Sequence, residues 1–322
     1  MPSSGTDTRS ITSGFWVHQL RGNVKQAKTM SFLVGLVLAH LNIALAQAPN
    51  PKNYSPERYE VRQSRGHKVP MRDGVSLSVD IYQPDADGRY PGILSITPYD
   101  NNSLSLRERA RWFARRGYVV VLADARGRFD SDGDWDPFGA KHKSDGFDLV
   151  EWVAKQEWCS GKVGMTGGSY LGWTQWWTAS QAPPSLRAIA PEVAPPDQFE
   201  NAPYQNGILV SWALDWAGML AGRTNQSVSN GPYGGFTSTR FSDMMRLPYI
   251  ELNKIRGVMD APWFEKWIRH NLSTDEYWRA ISYQGREKYN AFSREPVFQG
   301  LHALGGVNPH AVFPRGASAQ YA

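Results

Sequence analysis

The sequence predicts an α/β fold, a mostly parallel sheet with helices on both faces and a helical insertion, and three observations carry that prediction. Tyr118-Val119-Val120-Val121-Leu122-Ala123 is an unbroken, β-branched apolar run, the pattern of a strand buried on both faces. Short apolar runs alternate with helical segments along residues 90–191, as the strand–helix–strand units of a parallel sheet do. From about residue 197 to 286 the strand pattern stops and aromatic-rich helical stretches replace it.

Taken in order, residues 59–63 and 75–82 read as strands joined by the turn Arg72-Asp73-Gly74, an opening antiparallel hairpin. Residues 92–97 are a short apolar strand that Pro98 ends. Residues 103–116 have helical character, with Leu104, Trp112 and Phe113 apolar and Gly117 as the stop. Residues 145–155 predict a second helix, 162–166 a strand, 170–180 a third helix and 187–191 another strand. In the insertion, residues 209–220 and 262–270 read as helices. Trp212, Trp216, Trp263 and Trp267 recur there at helical spacing, which points to core rather than pocket.

The 322 residues, 41% hydrophobic and 20% charged, suffice for a large buried core. Thirteen Trp and fourteen Tyr suit a densely packed interior or an aromatic pocket, without choosing between them. Of the formal charge of +5, Arg9, Arg21, Lys25 and Lys28 against Asp7 place +3 in the first thirty residues, leaving +2 for the rest. No basic patch remains to neutralise phosphates, so no nucleic-acid partner is expected. Cys159 is the single cysteine, which excludes an intrachain disulfide and a thiolate metal cluster; it reads as a small, partly buried residue.

Residues 31–46 (SFLVGLVLAHLNIALA) are an uncharged, mostly apolar run behind Lys25 and Lys28 and ahead of Gln47-Ala48-Pro49. These are the three parts of a signal peptide, with cleavage expected after Ala46 and a secreted or periplasmic product. The run is too short, and too interrupted by His40 and Asn42, for a spanning helix, so no stable membrane anchor is expected. The long stretch ahead of Lys25 leaves Met1 and Met30 both open as the start of translation.

The chemistry concentrates in Val163-Gly164-Met165-Thr166-Gly167-Gly168-Ser169-Tyr170-Leu171-Gly172. A strand ends at Thr166, a helix begins near Tyr170, and a serine stands between them among small residues. That is what a nucleophile elbow needs, because the serine backbone is strained and the turn closes only where its neighbours carry little side chain. Ser169 is therefore expected at the carboxyl edge of the sheet, its hydroxyl exposed and the positive end of a helix beneath it. The common G-x-S-x-G spacing is not kept: Leu171 holds the fifth position and Gly172 falls one later. By spacing alone an ordinary βα turn is the other reading.

This segment, continued by Thr174-Gln175-Trp176, resembles the active-site segment of the X-Pro dipeptidyl-peptidase and cocaine esterase family of α/β-hydrolases. Thr97-Pro98-Tyr99-Asp100 resembles the family's Pro-Tyr loop after the third strand. Asp124-Ala125-Arg126-Gly127 with Ser131-Asp132-Gly133 resembles its Asp-x-Arg-Gly and Ser-x-Gly loop. Ile189-Ala190-Pro191 and Tyr277-Trp278-Arg279-Ala280-Ile281-Ser282 extend the resemblance to about residues 58–288. It implies the α/β-hydrolase fold with a helical cap insertion. It also implies Ser169 as the acyl-forming nucleophile, the Tyr170 backbone N–H as one oxyanion donor and the Tyr99 hydroxyl as the other, which suits a carbonyl oxygen that gains charge in the tetrahedral state. Asp124 and Arg126 read as organising their loop rather than as catalytic. The Asp-rich stretch 130–136 lacks the calcium-loop pattern, and neither metal nor cofactor is expected.

In this fold the acid and base follow the serine in the order Asp, His. The family's Gly-Trp-x-Asp and Pro-Trp-x-His segments are not found after the insertion, so no triad Asp or His is assigned. Residues 300–322 contain no Asp, and His302 and His310 have neither expected set of neighbours. The fold is accordingly expected to be incomplete at the C-terminus, leaving the strands at 162–166 and 187–191 with an uncovered, hydrophobic flank. The organisation read from the sequence is a leader with signal peptide (1–48), the N-terminal part of an α/β-hydrolase domain (49–196), the cap (197–286) and an irregular tail (287–322) of the kind a shifted reading frame produces. The functional expectation is an exported serine hydrolase for a small-molecule or peptide ester or amide, inactive as written for want of the triad Asp and His. The alternative is a non-catalytic relic or ligand-binding module on the same scaffold.

Overall fold

The computed structural model describes residues 54–194, 199, 203–205, 207–225, 248, 250 and 261–281. The chain divides into two units, Met1–Pro56 and Glu57–Ala322, and every element described belongs to the second. The leader, the cleavage site at Ala46, Met30 and the tail with His302 and His310 lie outside the described residues.

Six strands form one sheet: β1 (Val61–Pro70), β2 (Ser76–Pro84), β3 (Tyr90–Thr97), β4 (Val119–Asp124), β5 (Cys159–Gly168) and β6 (Leu186–Glu192), in the order β1-β2-β4-β3-β5-β6. β1 and β2 make the expected antiparallel hairpin, and β2 runs antiparallel to β4. The β4–β3, β3–β5 and β5–β6 pairs are parallel. The helices are α1 (Leu104–Ala114), α2 (Lys141–Lys155) and α3 (Tyr170–Ala179), each between two strands of this sheet.

β4 shows why the sheet is covered on both sides. All six of its residues are buried. Val119, Val121 and Ala123 join a core with Leu149, Val150 and Val153 of α2, while Val120 and Leu122 pack with Ala110 and Ala114 of α1 on the opposite face. Alternate side chains of a strand point to opposite faces, so a run apolar at every position requires a layer of helix on each. Each such Val or Leu contributes roughly 1.5–3 kcal/mol when fully buried.

Boundaries depart from the sequence expectation where polar residues serve tertiary bonds. α2 begins at Lys141 rather than 145, because Lys143 reaches the Ala280 carbonyl (2.6 Å) and His142 is buried against aromatic rings. β1 runs on to Pro70, and β5 is longer at both ends than residues 162–166. Cys159 is fully buried, not partly. β6 ends the strand order, and among the described residues it is paired on one side only, whereas β5, also expected to keep an uncovered flank, is paired on both because β3 and β6 lie on either side of it.

The insertion holds a two-stranded hairpin, β7 (Tyr204–Gln205) with β8 (Ile208–Leu209), where the sequence suggested no strand, and the helices α4 (Ser211–Leu220), α5 (Pro262–Arg269) and α6 (Glu276–Ile281). Trp216, Trp263 and Trp267 are core, packed with Phe138, Tyr170 and Trp177 below them. Trp212 is not; it is 38% exposed on the outer side of α4. No described helix is long and apolar enough to cross a membrane.

Candidate active site

Ser169 occupies the junction between β5 and α3, with φ 57° and ψ −124°, and its side chain is exposed. A serine in the left-handed region is held there by its surroundings, since this conformation costs a residue with a Cβ. Its N–H donates to the Glu192 carbonyl at the end of β6 (2.9 Å), and its carbonyl accepts from the N–H groups of Gly172 and Trp173. The spacing of the glycines now has a physical reason. A Cβ on Gly167 would lie 2.6 Å from the Leu171 Cβ, and one on Gly172 would lie 2.5 Å from the Ala194 Cβ and 2.9 Å from the Glu192 carbonyl oxygen. Gly172, displaced from the common pattern, is where α3 passes against the end of β6 and Ala194 beyond it.

Tyr170 is the first residue of α3, where an N–H has no acceptor inside the helix, and it lies beside the Ser169 side chain in sequence. Its own side chain is anchored away from the site. The fully buried phenol oxygen accepts the Phe138 N–H (3.1 Å) and lies 3.1 Å from His142 Nε2. Burial pushes the Tyr170 phenol pKa up and holds His142 below its ordinary value.

Tyr99 follows β3 and Pro98, on the strand neighbouring β5. Its hydroxyl accepts from Trp216 Nε1 of α4 (3.1 Å), and Ser169 is among the side chains that act on its phenol. Burial raises its phenol pKa, so the proton stays on the oxygen. An O–H has one proton; with Trp216 donating to the oxygen, that proton is left to donate elsewhere. The structure thus brings Ser169, the Tyr170 N–H and the Tyr99 hydroxyl to one edge of the sheet.

Two supporting residues carried no role in the sequence. Gln175, fully buried on α3, donates to the carbonyls of Gly167 (3.0 Å) and Leu171 (2.9 Å) and accepts from the Ala190 N–H of β6 (2.9 Å). It stitches the elbow to the strand beside it, and its signal was an uncharged polar residue in an otherwise buried helix. Ser95 of β3 donates to the Thr166 carbonyl of β5 (2.8 Å), tying together the two strands that carry Tyr99 and Ser169.

The Asp-x-Arg-Gly loop is organised as its residue types suggest. Arg126 is forked onto Asp145 and also pairs with Asp73. Asp124 is buried and accepts the Asn101 N–H (2.8 Å), fixing the loop two residues beyond Tyr99. Burial is the largest cause that pushes its carboxyl up to about 7, with the carboxylates of Asp100 and Asp130 adding to it. An acid raised in the folded state binds its proton more tightly there than in the unfolded chain. Its contribution to stability is therefore full below pH ~4 and is lost as pH rises through about 7. Asp124→Asn removes that term, so the stability of the variant relative to the parent should improve from pH 4 to pH 8 and level off above it. Urea unfolding across that range checks this, and a flat difference would show that the carboxyl titrates normally.

Comparison with known proteins agrees with this geometry. The model of the X-Pro dipeptidyl-peptidase (S15 family) matches residues 73–300. The chain is 34% identical over 238 residues to cocaine esterase of Rhodococcus sp. (strain MB1 Bresler), covering 66% of this chain and 39% of that protein. The chain therefore spans about two-fifths of the length of this curated relative. In fold it is similar to an aminopeptidase from a marine sediment archaeon, Thaumarchaeota archaeon (TM-score 0.60, 21% identity, 79% of this chain and 45% of that one). It is likewise similar to an α-amino acid ester hydrolase (TM-score 0.57, 22% identity, with the same two shares). With the family model covering most of the chain, the sheet order in place and the strained serine at the β5–α3 junction, this chain belongs to the X-Pro dipeptidyl-peptidase (S15) family.

Proposed function

We propose that the chain is an exported serine hydrolase, of acyl-peptidase or esterase type, that cleaves an ester or amide through an acyl-enzyme on Ser169. One observation carries this reading: an exposed serine, strained at a strand-to-helix turn, with Tyr99 beside it. Ser169 Oγ attacks the substrate carbonyl carbon, and the carbonyl oxygen takes the negative charge between the Tyr99 O–H and the Tyr170 N–H. Collapse expels the alcohol or amine, which takes up the serine's proton, and water then releases the acid. The likeness to cocaine esterase supports an ester, and the family's name supports a peptide amide next to proline.

A proton acceptor for Ser169 is not among the described histidines. His67 bonds Ser64, His142 faces Tyr170 and the Asp136 carbonyl, and His270 pairs with Asp275 (2.9 Å). No Gly-Trp-x-Asp or Pro-Trp-x-His segment stands in the 322 residues. That the three described histidines are each engaged away from Ser169 supports a second reading, a scaffold that binds an ester or amide without turning it over. Two measurements separate the readings: hydrolysis of p-nitrophenyl butyrate against glycyl-prolyl-p-nitroanilide, and site-resolved mass spectrometry after a fluorophosphonate. Adduct on Ser169 supports the hydrolase; saturable ester binding by calorimetry with no adduct supports the binding module. For export, N-terminal sequencing should read Gln47, and a mature chain that starts at Met1 or Met30 overturns it.

A further inference from the structure

Arg128 is fully buried, and its role is not explained by the Asp-x-Arg-Gly motif that precedes it. A buried guanidinium is tolerated only when its donors are satisfied, and here they go to oxygens on two separate parts of the chain. Nε donates to the Pro98 carbonyl, one residue before Tyr99 (2.9 Å). Nη1 donates to the carbonyls of Leu220 (3.2 Å) and Gly222, at the end of α4. Those last carbonyls of a helix lack intrahelical partners and carry the negative end of its dipole, so a cation is well placed there. Nη2 donates to Asn225 Oδ1 (2.6 Å), and the other end of the same amide, Nδ2, donates to the Tyr99 carbonyl (3.0 Å). Burial pulls the guanidinium pKa down to about 10, still well above neutral, so the fork stays charged.

The contacts close a ring. Arg128 holds the Pro98 carbonyl directly and the Tyr99 carbonyl through Asn225. It also holds the end of α4, and α4 carries Trp216, whose Nε1–H donates to the Tyr99 hydroxyl. Arg223 reinforces the same junction by donating to the carbonyls of Phe129 and Ser131, and its own carbonyl accepts from the Phe129 N–H (2.8 Å). We infer that Arg128 is a positioning residue for Tyr99, locking the loop after β3 to helix α4 of the insertion so that Trp216 sets the direction of the Tyr99 hydroxyl. This inference rests on the reading of Tyr99 as an oxyanion donor. Lysine offers a point charge where this junction needs a planar fork aimed at several carbonyls at once.

The test reads the Trp216–Tyr99 bond in the full chain without requiring turnover. In a ¹H–¹⁵N spectrum of the indole groups, the Trp216 signal is assigned by its loss in Trp216→Phe, and Tyr99→Phe gives its position without the bond. Arg128→Lys and Asn225→Ala should each move that signal toward its Tyr99→Phe position while the other indole signals stay in place. Asn225 is exposed, so its variant breaks the bridge without emptying a buried site. A Trp216 signal unmoved in Asn225→Ala, with Arg128→Lys either also unmoved or shifting all indoles together, overturns the inference. Fluorophosphonate modification of Ser169 should also slow about 10-fold in each variant and no further when combined with Tyr99→Phe, because groups acting through one residue are not additive. Additive slowing would show that Arg128 acts elsewhere. Failure of the parent to label at Ser169 would sink the hydrolase reading and leave the indole signal to decide this one.

Discussion

Ser169→Ala should end modification by a fluorophosphonate altogether, and Tyr99→Phe should slow it about 10²-fold, the usual effect of removing one oxyanion donor. The serine is exposed, so alanine neither empties a cavity nor buries a polar group. Its backbone already carries a Cβ at φ 57°, so alanine meets the same strain. The fold should therefore be unchanged by circular dichroism, and the loss assignable to the hydroxyl. For Tyr99→Phe the argument is different. The phenol oxygen accepts from Trp216, so its removal leaves the Trp216 N–H without that acceptor and, on the proposed reading, leaves the developing charge with the Tyr170 N–H alone. Intact-protein mass spectrometry over time gives both rates. An adduct that persists in the Ser169→Ala chain would show the nucleophile to be another residue.

Gly172→Val should cost about 3 kcal/mol of stability, at the upper end for overpacking a buried site. The Cβ alone would stand 2.5 Å from the Ala194 Cβ and 2.9 Å from the Glu192 carbonyl oxygen, and neither obstacle is the free end of a flexible side chain. α3 would have to lift from β6. The Ser169 N–H bond to that same Glu192 carbonyl and the Gln175 bond to the Ala190 N–H both span the gap that would open. Urea unfolding should show a lower midpoint with an unchanged slope, and Ser169 labelling should fall with it because the elbow is held by these bonds. An unchanged midpoint would mean that α3 and β6 do not approach this closely.

What could be read without the structure was whatever a local pattern encodes. The unbroken apolar run of β4 required helices on both faces, since every side chain of a strand must be covered. The small residues around Ser169 announced a strained turn, since only they let such a turn close. For Tyr99, one of fourteen tyrosines, no local pattern sufficed; the resemblance of Thr97-Pro98-Tyr99-Asp100 to the family's Pro-Tyr loop made it a candidate. The exposed Trp212 shows the limit of this reasoning: helical spacing marks a face without saying how far the neighbouring layer extends.

Everything that depends on two distant segments meeting was decided by the tertiary structure. The order in which strands pair places β3 between β4 and β5 and so brings Tyr99 to Ser169. The partner of the Tyr99 hydroxyl is an indole 117 positions away, and Arg128 reaches carbonyls and an amide more than ninety positions ahead of it. Gly172 looked like a misplaced glycine until Ala194 and Glu192 were found against it. Periodicity is a property of neighbours along the chain, whereas these contacts arise from how the layers close. The amino-acid sequence alone therefore singled out Ser169 as a candidate at a strained turn, and only the folded chain revealed the groups that hold the Tyr99 hydroxyl in place.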